Sequence, residues 1–524
     1  MDKDANKWVV IFVVILSVLV TTILMNIDHD NQSTSFTTST IDLDNGDTNI
    51  NWDHYPTANI NLSDSLQITK SGTYHLTGSL EDDNITIKAG VEGVVRLILD
   101  GVNIHNSQGP AIYCASGDDL VIELIGRNEL SDGSTYSTDY DADVTGTIYS
   151  KADLSFTGDG TLNLTASYQD GIISKDDLKF NSGTYNIIAS DDGIRGKDSV
   201  YILDGSYTID ATADTIKSTN DTDQGKGFVM IENGNFNLTA GAKGIKATNN
   251  IIIRDGDYTL NTYDDAIHSD DYISINGGSI NIVAGDDGVH ANRELIINDG
   301  KLIIAKAYEG LEAQVVTIND GEIRLTTTDD GINAGGGADG SSNNRPGASP
   351  FNADENCVLS VNGGNLYVNA SGDGIDSNGW LYFNGGNVVV DGPTNNGNGA
   401  LDAGMGIVMN GGEVIAIGAS GMAESLGGSS SVNNVSIFLS STLPAKTQIT
   451  IKDSKGDTVL SHTSAKSFSH ISFGCSSLEL GNQYTFYLND EISETFTISS
   501  TTTIVGQNNT DPGQQMMPGG RRQQ

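Results

Sequence analysis

Basic residues are scarce in this chain of 524 residues: 27 Lys and Arg stand against 68 Asp and Glu, a net charge of -41 with only 18% of residues charged. Such a balance repels nucleic acid and attracts divalent cations. Cysteine is nearly absent. Cys114, Cys357 and Cys475 are too few, and odd in number, for a disulfide framework over this length, so they read as small buried apolar residues with one bridge at most. Proline occurs 8 times against 62 glycines, a profile of many tight turns rather than extended disorder. No coiled-coil or docking motif stands out, and a monomer is expected.

The one long apolar run is "WVVIFVVILSVLVTTILM", Trp8 to Met25, 18 residues without a charge and just enough to cross a bilayer as a helix. It exceeds the usual h-region of a signal peptide and has no clear small-x-small cleavage site after it. It reads as an uncleaved anchor. Lys3 and Lys7 before it and "IDHDN" after it favour a cytoplasmic stub at 1–7 and a cell-surface body. Cleavage near Met25 is the alternative, and would release the same body outside the cell.

Beyond a linker at 26–52, one phrase recurs. "DDGI" and its variants place Asp170, Asp192, Asp214, Asp265, Asp287, Glu309, Asp330 and Asp373 just before a Gly-aliphatic pair, mostly 21 or 22 residues apart. "NDTDQGKG" lengthens the step through Lys243, and the glycine-rich stretch from Gly335 to Glu355 lengthens the step to Asp373. On the same beat run alternating segments ending in Asn/Asp and Gly, such as "IIIRDG", "ISINGG" and "LIINDG", each followed by another short strand. A period of this length therefore holds three short strands and no helical stripe. Such a unit cannot bury a face alone, so the units must stack into an all-β parallel β-helix of about 22 residues per coil, expected at 53–427. The nine-residue calcium repeat is excluded by the period.

Stacking turns positions into columns at roughly 4.8 Å intervals. Tyr185, Tyr207, Phe236, Tyr258 and then Ile280 to Val414 share a face with Ile187, Ile209 and Leu238, so they are expected as an interior stack rather than a sugar platform. Asn181, Asp204, Asn233, Asp255, Asn276, Asp299, Asp320, Asn362, Asn384 and Asn410 read as one turn-forming column of stacked side chains.

The paired acids ask for more than a turn does. Stacked aspartates bring like charges within about 5 Å, unfavourable unless a cation neutralises them. Asp170, Asp191, Asp192, Asp214, Asp264, Asp265, Asp286, Asp287, Asp329, Asp330 and Asp373, flanked by Asp176, Asp177, Asp198, Asp270 and Asp271, offer the hard oxygens that calcium requires. Of these, Asp270 and Asp271 are counted with the metal ligands. Several calcium ions are the expected cofactor; solvated turn acids are the bland alternative. A third column holds Arg195, Lys217, Lys246, His268 and His290, then Glu312, Asn333, Asp376 and Asp402. Its bases, set beside calcium, suggest a groove for an anionic, repeating ligand such as an acidic polysaccharide. Simple pairing with neighbouring aspartates is the other reading.

"SDDGIRGKDSVYILDGSYTI", "YDDAIHSDDYISINGG", "GDDGVHA" and "TDDGINAGGG" together resemble the calcium-binding, cell-surface carbohydrate-binding family of right-handed parallel β-helices, over about Ser150 to Thr502. The resemblance implies binding of cellulose or acidic plant polysaccharides, and a fold similar to pectate lyases. Departures are Lys243 in an acid slot, Ala266 in a glycine slot, and "NNGNGALDAG", which has lost the acid pair. They put calcium in those coils in doubt.

From 428 to 505 the strands leave the beat, and a small β-sandwich-like cap over the open end of the coil is expected, then a disordered tail at 506–524. The favoured function is a surface-displayed, calcium-dependent polysaccharide binder. A lyase using Lys217, Lys246 or Arg195 as base is the first alternative, and a calcium-rigidified adhesin or scaffold the second.

Overall fold

A computed structural model of the chain describes residues 50–335 and 353–506. The stub, the apolar run at 8–25, nearly all of the linker, and the tail after Gly506 lie outside the described residues. Among those described, no helix is long and apolar enough to cross a membrane.

The described chain is an all-β solenoid of about 15 turns. One coil shows the rule: Asp170–Ser174, Asp177–Phe180 and Thr184–Ala189 each run parallel to their equivalents one coil on, Ile194–Gly196, Ser199–Ile202 and Ser206–Ala211. Three parallel ladders result. Alternation turns Ile187, Leu178 and Ile172 inward, so successive coils share one continuous core. No coil could hold this alone, because each buries its apolar face only against its neighbours.

The aromatic column is interior, as expected. Tyr185, Tyr207, Phe236 and Tyr258 are buried and stack at centroid spacings of 5.0, 4.9 and 4.6 Å. Each tyrosine hydroxyl donates to a backbone carbonyl of the preceding turn, from Tyr185 to Ser182 at 2.6 Å and from Tyr258 to Asp255 at 2.9 Å. A buried phenol is thereby satisfied without opening the core.

The Asn/Asp turn column corrects the sequence reading: it is two columns. Asn276, Asn298, Asn319, Asn362, Asn384 and Asn410 form the amide ladder, each from Asn298 on donating to the one below at 2.8 to 2.9 Å, while Asn276 at the foot donates to the carbonyl of Ile253 at 3.2 Å. Asp204, Asp255, Asp299 and Asp320 sit one place later and accept from the next glycine's own N–H at 2.7 to 2.8 Å. "NGG" and "NDG" both supply an asparagine, and aligning Asp299 with Asn276 shifted the register by one. The glycine that follows is required by conformation: Gly256 has φ +119°, and a Cβ there would lie 2.8 Å from the carbonyl oxygen of Gly234.

The cap is built into the coil rather than laid on it. Phe468–Cys475 pairs antiparallel with the last third-ladder strand, Glu413–Gly418, and with Asn434–Leu443. A separate four-stranded antiparallel sheet, from Gln448–Asp453 to Glu491–Thr497, closes a second core around Ile449, Phe473 and Phe486. The open ladder edge is thus consumed by hydrogen bonding. All three cysteines are buried and free.

Candidate functional site

The base column stacks in the order read from the sequence. Arg195 pairs in register with Lys217, Lys217 with Lys246, Lys246 with His268 and His268 with His290; Glu312, Asn333, Asp376 and Asp402 follow. It belongs to the first ladder and stands three residues after the acidic slot, close enough to touch it.

The acids lie on the bend before that ladder. Asp170, Asp192, Asp214, Asp265 and Asp287 are buried, with no more than 5% of their surface exposed. Each puts one oxygen on the backbone of the next coil: Asp170 accepts from the N–H of Asp192 at 3.2 Å, Asp192 from Asp214 at 3.1 Å, and Asp265 from Asp287 at 3.0 Å. The second oxygen meets a base. Arg195 reaches Asp170 at 2.9 Å, Lys217 spans Asp192 at 3.3 Å and Asp214 at 2.9 Å, and His268 meets Asp265 at 2.7 Å. Lys243, the departure from the acid pattern, is itself a counterion, bonded to Asp264 at 2.9 Å and Asp265 at 2.5 Å. His290 sits between Asp287 at 3.1 Å and Glu312 at 2.7 Å.

In these coils the cation that stacked carboxylates demand is part of the chain. Burial opposes the charge on both partners, and it keeps the carboxyls of Asp170 and Asp192 raised and lifts Asp287 to about 8 despite their bases; at Asp265 the bases win. Desolvation is outweighed at Asp265 by His268 and Lys243, which hold its carboxyl well below the usual range. Desolvation also opposes the charge on His290, yet Asp287 and Glu312 raise it to about 11. Lys217 is likewise held above its ordinary value by Asp192 and Asp214 despite burial.

Two ligand-contact expectations are corrected here. The side chains of His268 and His290 are 8% and 0% exposed, so a polymer on the surface cannot reach them. Arg195, Lys217 and Lys246 stay half-buried and reachable. Around Arg195 the surface opens into a cavity of about 390 Å³ walled also by Asp143, Lys175 and Lys197. The flanking acids are paired too: Arg293 holds Asp271 at 2.5 Å, Lys226 bridges Asp177 at 3.1 Å and Asp198 at 3.4 Å, and His268 reaches Asp270 at 3.0 Å. The outer members of the pairs, Asp191, Asp264, Asp286 and Asp329, are half-buried at the corner, and Asp264, Asp265 and Asp286 can bring their oxygens within 4.8 Å of one another.

Beyond His290 the bases stop while the acids continue. Asp330 and Asp373 keep the backbone bond, to the N–H of Asp373 at 2.6 Å and of Gly399 at 2.5 Å. Among the described residues no base pairs with Asp330, Asp373, Asp376, Asp402 or Glu424. All five are half-buried, open to solvent on one side. Desolvation, then mutual repulsion, lifts Asp330 to about 7, Asp376 and Glu424 to about 8; Asp373 reaches about 6. Asp402 is raised by burial. At the junction, burial and neighbouring acids lift Glu309 to about 10. Oxygen ligands without His or Cys suit a hard cation, but these acids do not bring three oxygens within 4.8 Å of one another as Asp264, Asp265 and Asp286 do, so a cation would have to draw them together. Asp376 and Asp402 were legible as column members, but read as part of a mixed groove. Glu424 lies off the beat and carries no sequence signal.

Three parallel ladders with a column of ionisable side chains along one corner define a parallel β-solenoid. A family model described as carbohydrate-binding domain-containing protein matches residues 63–307 and 260–344, more than half of the chain, and the chain belongs to that family. A carbohydrate-binding domain-containing protein of Acetivibrio thermocellus is 35% identical over 128 residues, 24% of this chain and 45% of that protein, so the chain spans about half of that relative's length. A solved structure described as a polysaccharide lyase-like protein from C. thermocellum, gadolinium derivative, is 30% identical and covers 47% of this chain and 99% of its own, at a TM-score of 0.39.

Proposed function

We propose that the chain is a calcium-dependent polysaccharide-binding protein of the cell surface, and that its ligand is acidic. One observation carries this reading: the acid ladder supplies its own counterions as far as His290 and, among the described residues, none from Asp330 to Glu424, while the latter group is half-buried rather than sealed. Asp330, Asp373, Asp376, Asp402 and Glu424 would hold calcium, and the carboxylates of a polyuronate would complete its shell. Six coil steps separate Arg195 from Asn333 in the column, roughly 29 Å at the inter-strand spacing, so one extended polymer could meet the cavity at Arg195 and the calcium together.

Binding is favoured over lyase chemistry. A proton-abstracting base needs a pKa lowered towards the working pH, and Lys217 is pushed the other way. The cell-surface placement rests on the charge-free run from Trp8 to Met25.

The test is calcium titration calorimetry followed by co-sedimentation with polygalacturonate, on the wild type and on a D376N/D402N variant. Calcium binding by the wild type, its loss in the variant, and sedimentation only with calcium support the reading. Calcium affinity equal in both proteins overturns the site. Rising absorbance from unsaturated product makes the protein a lyase.

A further inference from the structure

A second concave surface lies on another ladder, away from the acids. On the outward side of the second ladder, Arg96 pairs with Val121, Val121 with Ser155, Ser155 with Lys179 and Lys179 with Tyr201. Four steps separate Arg96 from Tyr201, roughly 19 Å at the inter-strand spacing. A groove of about 620 Å³ runs between them, with Trp52 forming one wall and Leu203, 43% exposed, the other.

Its chemistry differs from that of the acid corner. Glu123 accepts from Nε of Arg96 at 2.8 Å and from Nη2 as well, and the guanidinium lies 5.5 Å from the Trp52 ring. The fork is thereby fixed against Glu123. Arg96 and Glu123 cancel in charge. Lys179, 6% exposed, is engaged within the protein. An anionic ligand would have to break these pairs, whereas hydroxyl groups could bond to Arg96, Glu123 and Asn181 without doing so. Indole and phenol rings supply flat apolar surface for the C–H faces of sugar rings.

We propose that this groove is a separate carbohydrate-binding site that takes an uncharged, linear glycan without calcium. It is independent of the calcium reading, because none of its residues belongs to the acid ladder.

The test is affinity electrophoresis of the full chain through gels containing hydroxyethylcellulose, xylan or galactomannan, all in EDTA, which silences any calcium site. We expect retardation by at least one of these polymers, weakened about tenfold by W52A and by Y201A and largely restored by W52F. Thermal melts check that each variant is folded. Retardation by none of the three overturns the proposal, and so does retardation unchanged in both folded alanine variants. Retardation that appears only with calcium overturns it too, and moves uncharged glycans to the acid corner.

Discussion

His290 stands directly over His268, their rings 4.9 Å apart and inclined by 25°, and each turns Nδ1 onto the aspartate of its own coil, Asp287 and Asp265. Two buried polar rings this close each need partners of their own. They persist because each is flanked by acids, His268 by Asp265 and Asp270 and His290 by Asp287 and Glu312. The acid and base columns are therefore one ionic stack, alternating in charge across the corner.

That stack predicts a large stability loss in H290A. The change leaves Asp287 and Glu312 buried without a counterion, which costs about 3 to 5 kcal/mol. The His290 pKa is raised, so its contribution is whole below the unfolded value near 6.5 and is lost only as pH rises through about 11. The loss should thus be fully visible in urea unfolding at pH 7. A change below about 0.5 kcal/mol would mean the neighbouring acids are already protonated and need no partner.

Lys243 yields a sharper prediction. It occupies the acid slot, and its ammonium supplies the positive charge for Asp264 and Asp265. K243D restores the acid but removes the charge, so the coil should come to need a cation from solution. The variant should melt well below the wild type in EDTA and recover part of the difference in calcium. If it melts alike with and without calcium, built-in bases and bound calcium are not interchangeable here.

Much of this arrangement was legible in the sequence, and the reasons are physical. A strict period makes every coil report the register of the next, so the order from Arg195 to Asp402 could be read without coordinates. Burial of the aromatic column followed from strand alternation. What could not be read was which oxygen each carboxylate commits. The bond from Asp265 to the N–H of Asp287 and the reach of Lys243 across a coil depend on side-chain geometry, not on spacing. The amide ladder was misplaced because "NDG" offers two residues of similar turn chemistry. The cap's use of Glu413–Gly418 as a pairing edge is a tertiary choice that no local pattern announces.

The uncompensated acids predict a pH dependence whose sign is fixed. Asp330, Asp373, Asp376 and Glu424 have folded values near 7, 6, 8 and 8, above the unfolded values near 4. Their contribution to stability is complete below about pH 4 and is lost as pH rises through 6 to 8. In EDTA the melting temperature should therefore fall between pH 5 and 8.5. Calcium competes with the protons, so the rise it produces should be largest at pH 8.5 and smallest at pH 5. A calcium effect that is constant over this range would place the ion elsewhere.

On the proposed reading, the opening around Arg195 lets recognition of the polymer be tested apart from recognition of the metal. Lys175 and Lys197 line it with side chains 39% and 45% exposed, paired to Asp143 at 3.2 Å and Asp198 at 3.8 Å. Exposed pairs of this kind contribute little to stability, so K175Q/K197Q should fold as well as the wild type. A polyuronate, by contrast, would gain from both ammonium groups, through contacts that salt screens. The double variant should bind polygalacturonate several-fold more weakly at low ionic strength, with a shallower salt dependence and unchanged calcium affinity. Arg195 is a poorer probe, since its bond to buried Asp170 makes any substitution structural as well. Equal binding by the double variant and the wild type at every salt concentration would take the polymer away from this end of the column and leave the proposed calcium site as its sole anchor.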